Sequence, residues 1–191
     1  MKLNAICVTG LPGSGKSVVS EVAGSLNIPV IVMGELVFEE TIKRGLSLTS
    51  ENVGKIAKLL RDEYGKDAVA KLVIEKVKKS NDSFKDNNWI VIEGLRSPEE
   101  YELFKKFFNK ITLIAILASQ DERYKRLLDR KREDTERNEK ELVKRDFREI
   151  LFGVTELINK ADFYLINEQI SLEKYKEKIR SLLLNILGRN K

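Results

Sequence analysis

The stretch ICVTGLPGSGKSVVSEV, residues 6–22, leaves this chain few ways to fold. Its centre fits G-x-x-x-x-G-K-[ST], running Gly10, Leu11, Pro12, Gly13, Ser14, Gly15, Lys16, Ser17. An apolar run ends at the first glycine, and a helical pattern (Val18, Val19, Val22, Ala23) follows the last. A strand that turns through glycines into a helix makes an anion nest. The glycines let the backbone come close, and free amides collect at the positive end of the helix. Lys16 is then expected to reach the β- and γ-phosphates of a nucleotide, and the Ser17 hydroxyl to ligate magnesium. The motif alone is common; its strand-to-helix context gives it force.

Strand-length apolar runs recur at 5–9, 30–33, 89–92, 111–117 and 163–166. Helical spacing fills the intervals, with Ile56, Leu59 and Leu60 marking one helix and Val69, Ala70, Val73 and Val77 another. SPEE announces a helix start, with Ser97 as N-cap, Pro98 in the first turn and Glu100 completing a capping box. Alternating strands and helices predict an α/β fold: a three-layer α/β/α P-loop NTPase with a parallel sheet covered on both faces. No repeat or linker divides residues 1–191, so one domain is expected. Residues 34–87 and 120–160 are too long for plain crossovers and read as helical insertions that close over a ligand.

Composition removes several chemistries. Histidine is absent and Cys7 is the sole cysteine, which excludes imidazole catalysis, zinc fingers and an internal disulfide. No apolar run is long enough to span a bilayer, and MKLNAICVTG runs directly into a strand pattern without a signal-peptide core. A cytoplasmic protein without a membrane partner is expected. The net charge of +5 and pI near 9.1 allow an anionic partner, either nucleic acid or a phosphorylated small molecule.

Three further segments bear on chemistry. In NWIVIEGLRS a buried strand ends at Glu93, the place of a magnesium-holding Walker B carboxylate, although aspartate is more usual there. Arg96 follows at the carboxyl edge of the sheet, suited to bidentate contact with a phosphate. Residues 121–149 hold eleven Arg and Lys against ten acids, too balanced for a nucleic-acid arm. Part of that segment must be a helix surface laced by pairs such as Glu122–Arg126 and Glu141–Arg145. Its arginines (Arg123, Arg126, Arg130, Arg132, Arg137, Arg145 and Arg148) nonetheless fit a lid that stabilises charge in phosphoryl transfer. DEYG (62–65) and NKAD (159–162) imitate GTPase motifs, but each follows a part-charged helical pattern instead of a buried strand.

Taken together, the glycine loop, the helices after strand two, the E-G-x-R strand end and the arginine-rich segment resemble the adenylate kinase and nucleoside-monophosphate kinase superfamily. RLLDR (126–130) and ADFYLIN (161–167) are similar to dephospho-coenzyme A kinases. RGLSLTSENVGKIAKLLRDEYGKDAVAK and KRDFREILFGVTELINKADFYLIN most resemble an archaeal group of P-loop kinase-like proteins related to both, and this likeness covers nearly the whole chain. The resemblance implies a five-stranded parallel sheet, acceptor-binding helices at about 34–80 and an arginine-rich lid at about 122–145. It implies ATP and Mg²⁺ as cofactors and an adenine-nucleotide-like acceptor. It places Arg126 and Asn167 at the donor base, Arg130 and Arg137 near the transferred phosphate, and Glu35 at the mouth of the acceptor site. The superfamily commonly has an arginine three residues after that acid; here the position is Phe38, leaving Arg44, Arg61 or Arg96 to hold the acceptor. Two rival readings remain: a nucleotide-binding regulator that hydrolyses ATP and acts through a partner, and an RNA-associated ATPase.

Overall fold

A computed structural model of the chain describes residues 3–80, 88–129 and 138–189. Five parallel strands form one sheet in the order β2-β3-β1-β4-β5. They are β1 (Asn4–Thr9), β2 (Val30–Val32), β3 (Trp89–Glu93), β4 (Ile111–Leu117) and β5 (Phe163–Ile166). Alternation along the strands explains why the runs are apolar throughout. Ala5, Cys7, Ile90, Ile92 and Leu113 face one core, while Ile6, Val8, Val91, Ile114 and Ile116 face the other. The sheet is therefore the middle of three layers, as its sequence pattern predicts.

One face is covered by α1 (Lys16–Ser25) and α9 (Leu172–Ile186), packed through Val19, Val22, Tyr175 and Ile179. The other is covered by α2 (Met33–Lys43), α3 (Ser50–Tyr64), α4 (Ala68–Lys79), α5 (Pro98–Phe107) and α8 (Val154–Asn159). The described part of the segment expected to be an insertion, 34–87, is taken up by α2, α3 and α4, and its Val37, Ile56, Leu60 and Val73 belong to the same apolar cluster as the strands. α6 (Gln120–Leu128) and α7 (Glu139–Phe152) follow β4 and pack together through Tyr124, Leu127 and Leu142.

Against the sequence pattern, β1 begins one residue earlier, at Asn4, and β2 ends one residue sooner. β2 stops at Val32, and Met33 already opens α2, because β3, the neighbour of β2, ends at the pairing Val32↔Glu93. β3 carries Glu93 at its last position, as expected. The capping box is present as expected: Ser97 accepts from the Glu100 amide, and Glu100 accepts from the Ser97 amide. DEYG lies at the C-terminal end of α3 and NKAD at that of α8, so neither tetrapeptide follows a strand. Among the described residues, no helix is long and apolar enough to cross a membrane.

Candidate functional site

β1 delivers the glycine loop to the carboxyl edge of the sheet, where open α/β folds place their ligands. Gly15 sits at φ +101° immediately before α1, and a Cβ there would collide with the Asn167 side-chain amide. Asn167 lies nine-tenths buried beyond β5 and donates from Nδ2 to the Ser14 carbonyl at 2.9 Å. It therefore braces the loop from behind as well as bordering the cavity. Arg126, on α6, donates to the Asn167 carbonyl at 2.8 Å and to Glu122 at 3.2 Å, the expected i,i+4 pair. Among the described residues its buried Nη1 has no hydrogen-bond partner.

The Lys16 ammonium folds back onto the loop, donating to the carbonyls of Gly10 at 2.7 Å and Leu11 at 3.1 Å. Burial lowers its pKa to about 8, with Glu93 opposing the shift. Glu93, at the end of β3, is 9% exposed and accepts a short hydrogen bond from Ser20 of α1. Ser17 is exposed at the start of α1 and lines the same cavity as Glu93. One hydroxyl and one carboxylate form a partial shell of the kind magnesium uses when phosphate oxygens and waters complete it. Among the described residues there is no group of three or more acidic or cysteine side chains that would hold a metal unaided. The residues fit a magnesium ion that arrives with a nucleotide.

Beyond the loop lies a second compartment. The cavity, about 600 Å³, extends from Arg126, Asn167 and Ile170 past Lys16 to Glu35, Phe38, Arg96, Arg145 and Glu149. Arg96 Nε pairs with Glu149 at 3.0 Å, and Glu149 is only 3% exposed. Burial alone would raise the Glu149 pKa, but Arg96, Arg145, Arg148 and Lys16 together hold it below the usual carboxylate range. Arg148 lies against Gly54 of α3, where a Cβ would strike its guanidinium. Guanidinium groups gathered on one wall of a cavity in this way suit an anionic ligand.

The three arginines left to act in place of one at Phe38 lie in different surroundings. Arg44 is tied to Glu40 and Glu63 outside the cavity. Arg61 is buried against Glu100 at 2.7 Å, also outside it. Of the three candidates Arg96 alone lines the cavity. Arg123, expected on the lid, is instead a buried strut, paired with Asp146 at 2.6 Å and donating to the Pro12 carbonyl at 3.0 Å. Arg130 and Arg137 lie outside the described residues. Glu149 and Asp146 escape a sequence reading because nothing distinguishes them from the solvated acids around them. Only their shared face with Leu142, at i, i+4 and i+7, is a signal.

The model of the AAA domain family matches residues 9–143. The chain is 42% identical to a UPF0200/UPF0201 protein of Archaeoglobus fulgidus, over 97% of this chain and 57% of that one. The chain thus spans little more than half the length of that relative. It is 38% identical to a UPF0200 protein of Thermococcus onnurineus, covering 96% of this chain and 98% of the other. It belongs to the AAA domain family and to the UPF0200 family. A crystal structure of shikimate kinase from Bacteroides thetaiotaomicron superposes with a TM-score of 0.57 at 15% identity, covering 96% of this chain and 98% of that one. At that identity the two share a fold, the P-loop kinase fold.

Proposed function

We propose that this UPF0200 chain is an ATP-dependent, magnesium-requiring phosphotransferase that passes the γ-phosphoryl group to a small acidic acceptor. A nucleoside monophosphate or a dephospho-coenzyme A-like molecule fits best. The observation that carries this reading is the single cavity with unlike ends on either side of Lys16, one bordered by Arg126 and Asn167, the other by Arg96, Arg145 and Glu35. Its volume, about 600 Å³, lies within the range of small-molecule sites.

In this mechanism the loop amides and Lys16 hold the β- and γ-phosphates, and Lys16 leaves its two carbonyl partners to do so. Ser17 and Glu93 would hold a magnesium ion, which when bound would neutralise charge on the phosphates. Arg126 is assigned to the donor base, and Arg130 and Arg137, outside the described residues, to the charge of the transferred phosphate. Arg96 and Arg145 hold the anionic group of the acceptor, while Glu35 marks the entrance. An acceptor oxygen bonds to the γ-phosphorus as the bond to the β,γ-bridging oxygen breaks, and ADP leaves. Positioning and cationic stabilisation suffice, so a chain without histidine is no obstacle.

ADP release measured with AMP, CMP, UMP, GMP and dephospho-coenzyme A in turn tests the proposal. At least one should raise release about tenfold or more above the acceptor-free rate. No stimulation by any of them overturns it. The regulator reading is favoured by a different observation: α7 turns apolar side chains outward, with Val143 48%, Phe147 61% and Leu151 71% exposed. The extra length of the Archaeoglobus relative fits a partner polypeptide of the UPF0201 kind at such a face. ATP binding without acceptor stimulation, together with co-elution of that partner, would support it.

A further inference from the structure

A buried ion pair lies directly behind the acceptor end of the cavity and does not line it. Arg61 of α3 is 8% exposed and Glu100 of α5 is 0% exposed. Arg61 Nη2 donates to Glu100 Oε1 at 2.7 Å, and Nη1 donates to the Ala57 carbonyl at 2.8 Å. The guanidinium stacks on the Phe152 ring, 4.2 Å from its centroid, at the end of α7. The other oxygen of Glu100, Oε2, accepts the backbone amides of Arg96 at 3.0 Å and Ser97 at 3.1 Å.

A capping box needs no arginine. Ser97 and Glu100 already satisfy each other's amides, and that motif works on open surfaces. Stability is no better reason for the pair, since burying two charges costs desolvation that their attraction roughly repays. What the arginine adds is geometry. It clamps Glu100 from α3 and, through Phe152, from the end of α7. Helix α3, the turn after β3 and the end of α7 therefore meet at one carboxylate, whose second oxygen accepts the Arg96 amide.

We propose that Arg61 and Glu100 are positioning residues for Arg96, fixing its backbone so that its guanidinium meets Glu149 and the acceptor together. Arg61 acts through Glu100 and touches no substrate. The inference rests on the reading of Arg96 as the acceptor-side cation, but its structural half can be measured without any acceptor.

R61M alone would leave a buried carboxylate unpaired, so the informative variant is R61M/E100Q, which buries no charge and keeps an oxygen for the two amides. Hydrogen exchange on the full chain should show the Arg96 and Ser97 amides opening about tenfold faster in that variant, with the later amides of α5 unchanged. With whichever acceptor the wild-type protein phosphorylates, the acceptor KM should rise about tenfold while the KM for ATP and kcat stay within about twofold. R61K, which keeps the charge but loses the fork, should fall between the two. Wild-type exchange at Arg96 and Ser97 in R61M/E100Q overturns the inference whatever the kinetics. Faster exchange with no change in acceptor KM also overturns it, because the pair then orders a turn without aiming Arg96. Should the wild-type chain phosphorylate no acceptor, the kinase reading falls and the exchange measurement decides the positioning claim by itself.

Discussion

The two ends of the cavity are built from different materials. At the proposed donor end the groups assigned to the phosphates are chiefly backbone: loop amides at the start of α1, braced by Asn167 through the Ser14 carbonyl. At the acceptor end they are side-chain charges drawn from distant segments: Arg96 after β3, then Arg145, Arg148 and Glu149 on α7. A backbone site tolerates side-chain change except where a side chain would intrude. A charge-built site depends on each partner being present and correctly held. The donor end should therefore fail by steric intrusion and the acceptor end by loss of a single charge.

The sharpest test of the donor half is Gly15→Ala. The residue would sit at a left-handed φ of +101° with its Cβ inside the Asn167 amide. The conformation and the collision together cost about 2–5 kcal/mol, so ATP affinity should weaken on the order of 30-fold or more. Adding Asn167→Ala removes the collision but not the strain, and G15A/N167A should recover part of the loss. ATP titration of the four proteins forms a double-mutant cycle. Strict additivity would mean that Asn167 does not brace the loop.

The same difference in material explains what the sequence revealed. GLPGSGKS is legible because a backbone site must spell its glycines and its lysine within one local stretch. The sheet was legible for a similar reason, since strands buried on both faces read as unbroken apolar runs. The acceptor end carries no local spelling. Glu149 and Arg96 are joined only by the fold, and Arg61, a candidate to replace the arginine that the resemblance expects at Phe38, lies outside the cavity against Glu100. Arg123 misleads in the same way, because a lid arginine and a buried strut look alike until Asp146 is placed beside it. Nor could periodicity show that α2–α4 share the core of the strands, since it reveals which face of a helix is apolar and not what that face meets.

Glu149→Gln probes the acceptor half at a smaller scale. Glu149 is 3% exposed and paired with Arg96, so losing its charge should cost about 1–3 kcal/mol at pH 7. Its pKa is held below the ordinary value by Arg96, Arg145, Arg148 and Lys16, against the effect of burial. A depressed carboxylate contributes stability that is present above its unfolded pKa and lost as pH falls through the folded one. The gap between wild type and E149Q in denaturant unfolding should therefore be full at pH 7 and shrink below about pH 4.5. ATP affinity at pH 7 should stay within about threefold, because the loop amides do not depend on this charge. A large loss of ATP binding would break the division between the two ends.

Lys16 is where the two ends meet, and its titration gives the smallest and most graded test. Its pKa stands near 8 because burial disfavours the ammonium, while Glu93 and Glu149 act in the opposite sense and Arg96 and Arg145 add to the lowering. Nucleotide phosphates would favour the charged form, so binding must raise this pKa and take up a proton wherever Lys16 is neutral in the empty site. Below about pH 8 the group is charged in both states, and affinity for ATP should vary little on its account. Above that pH the affinity should fall by at most about tenfold per pH unit, the limit for one linked proton. Calorimetry in two buffers of different ionisation enthalpy should show proton uptake at pH 9 and little at pH 7. E149Q removes one of the charges that raise the Lys16 pKa, so the onset should move to lower pH. An onset unmoved by that substitution would show that the acceptor-side carboxylate does not reach the donor-side lysine, and the two ends would then be electrostatically separate.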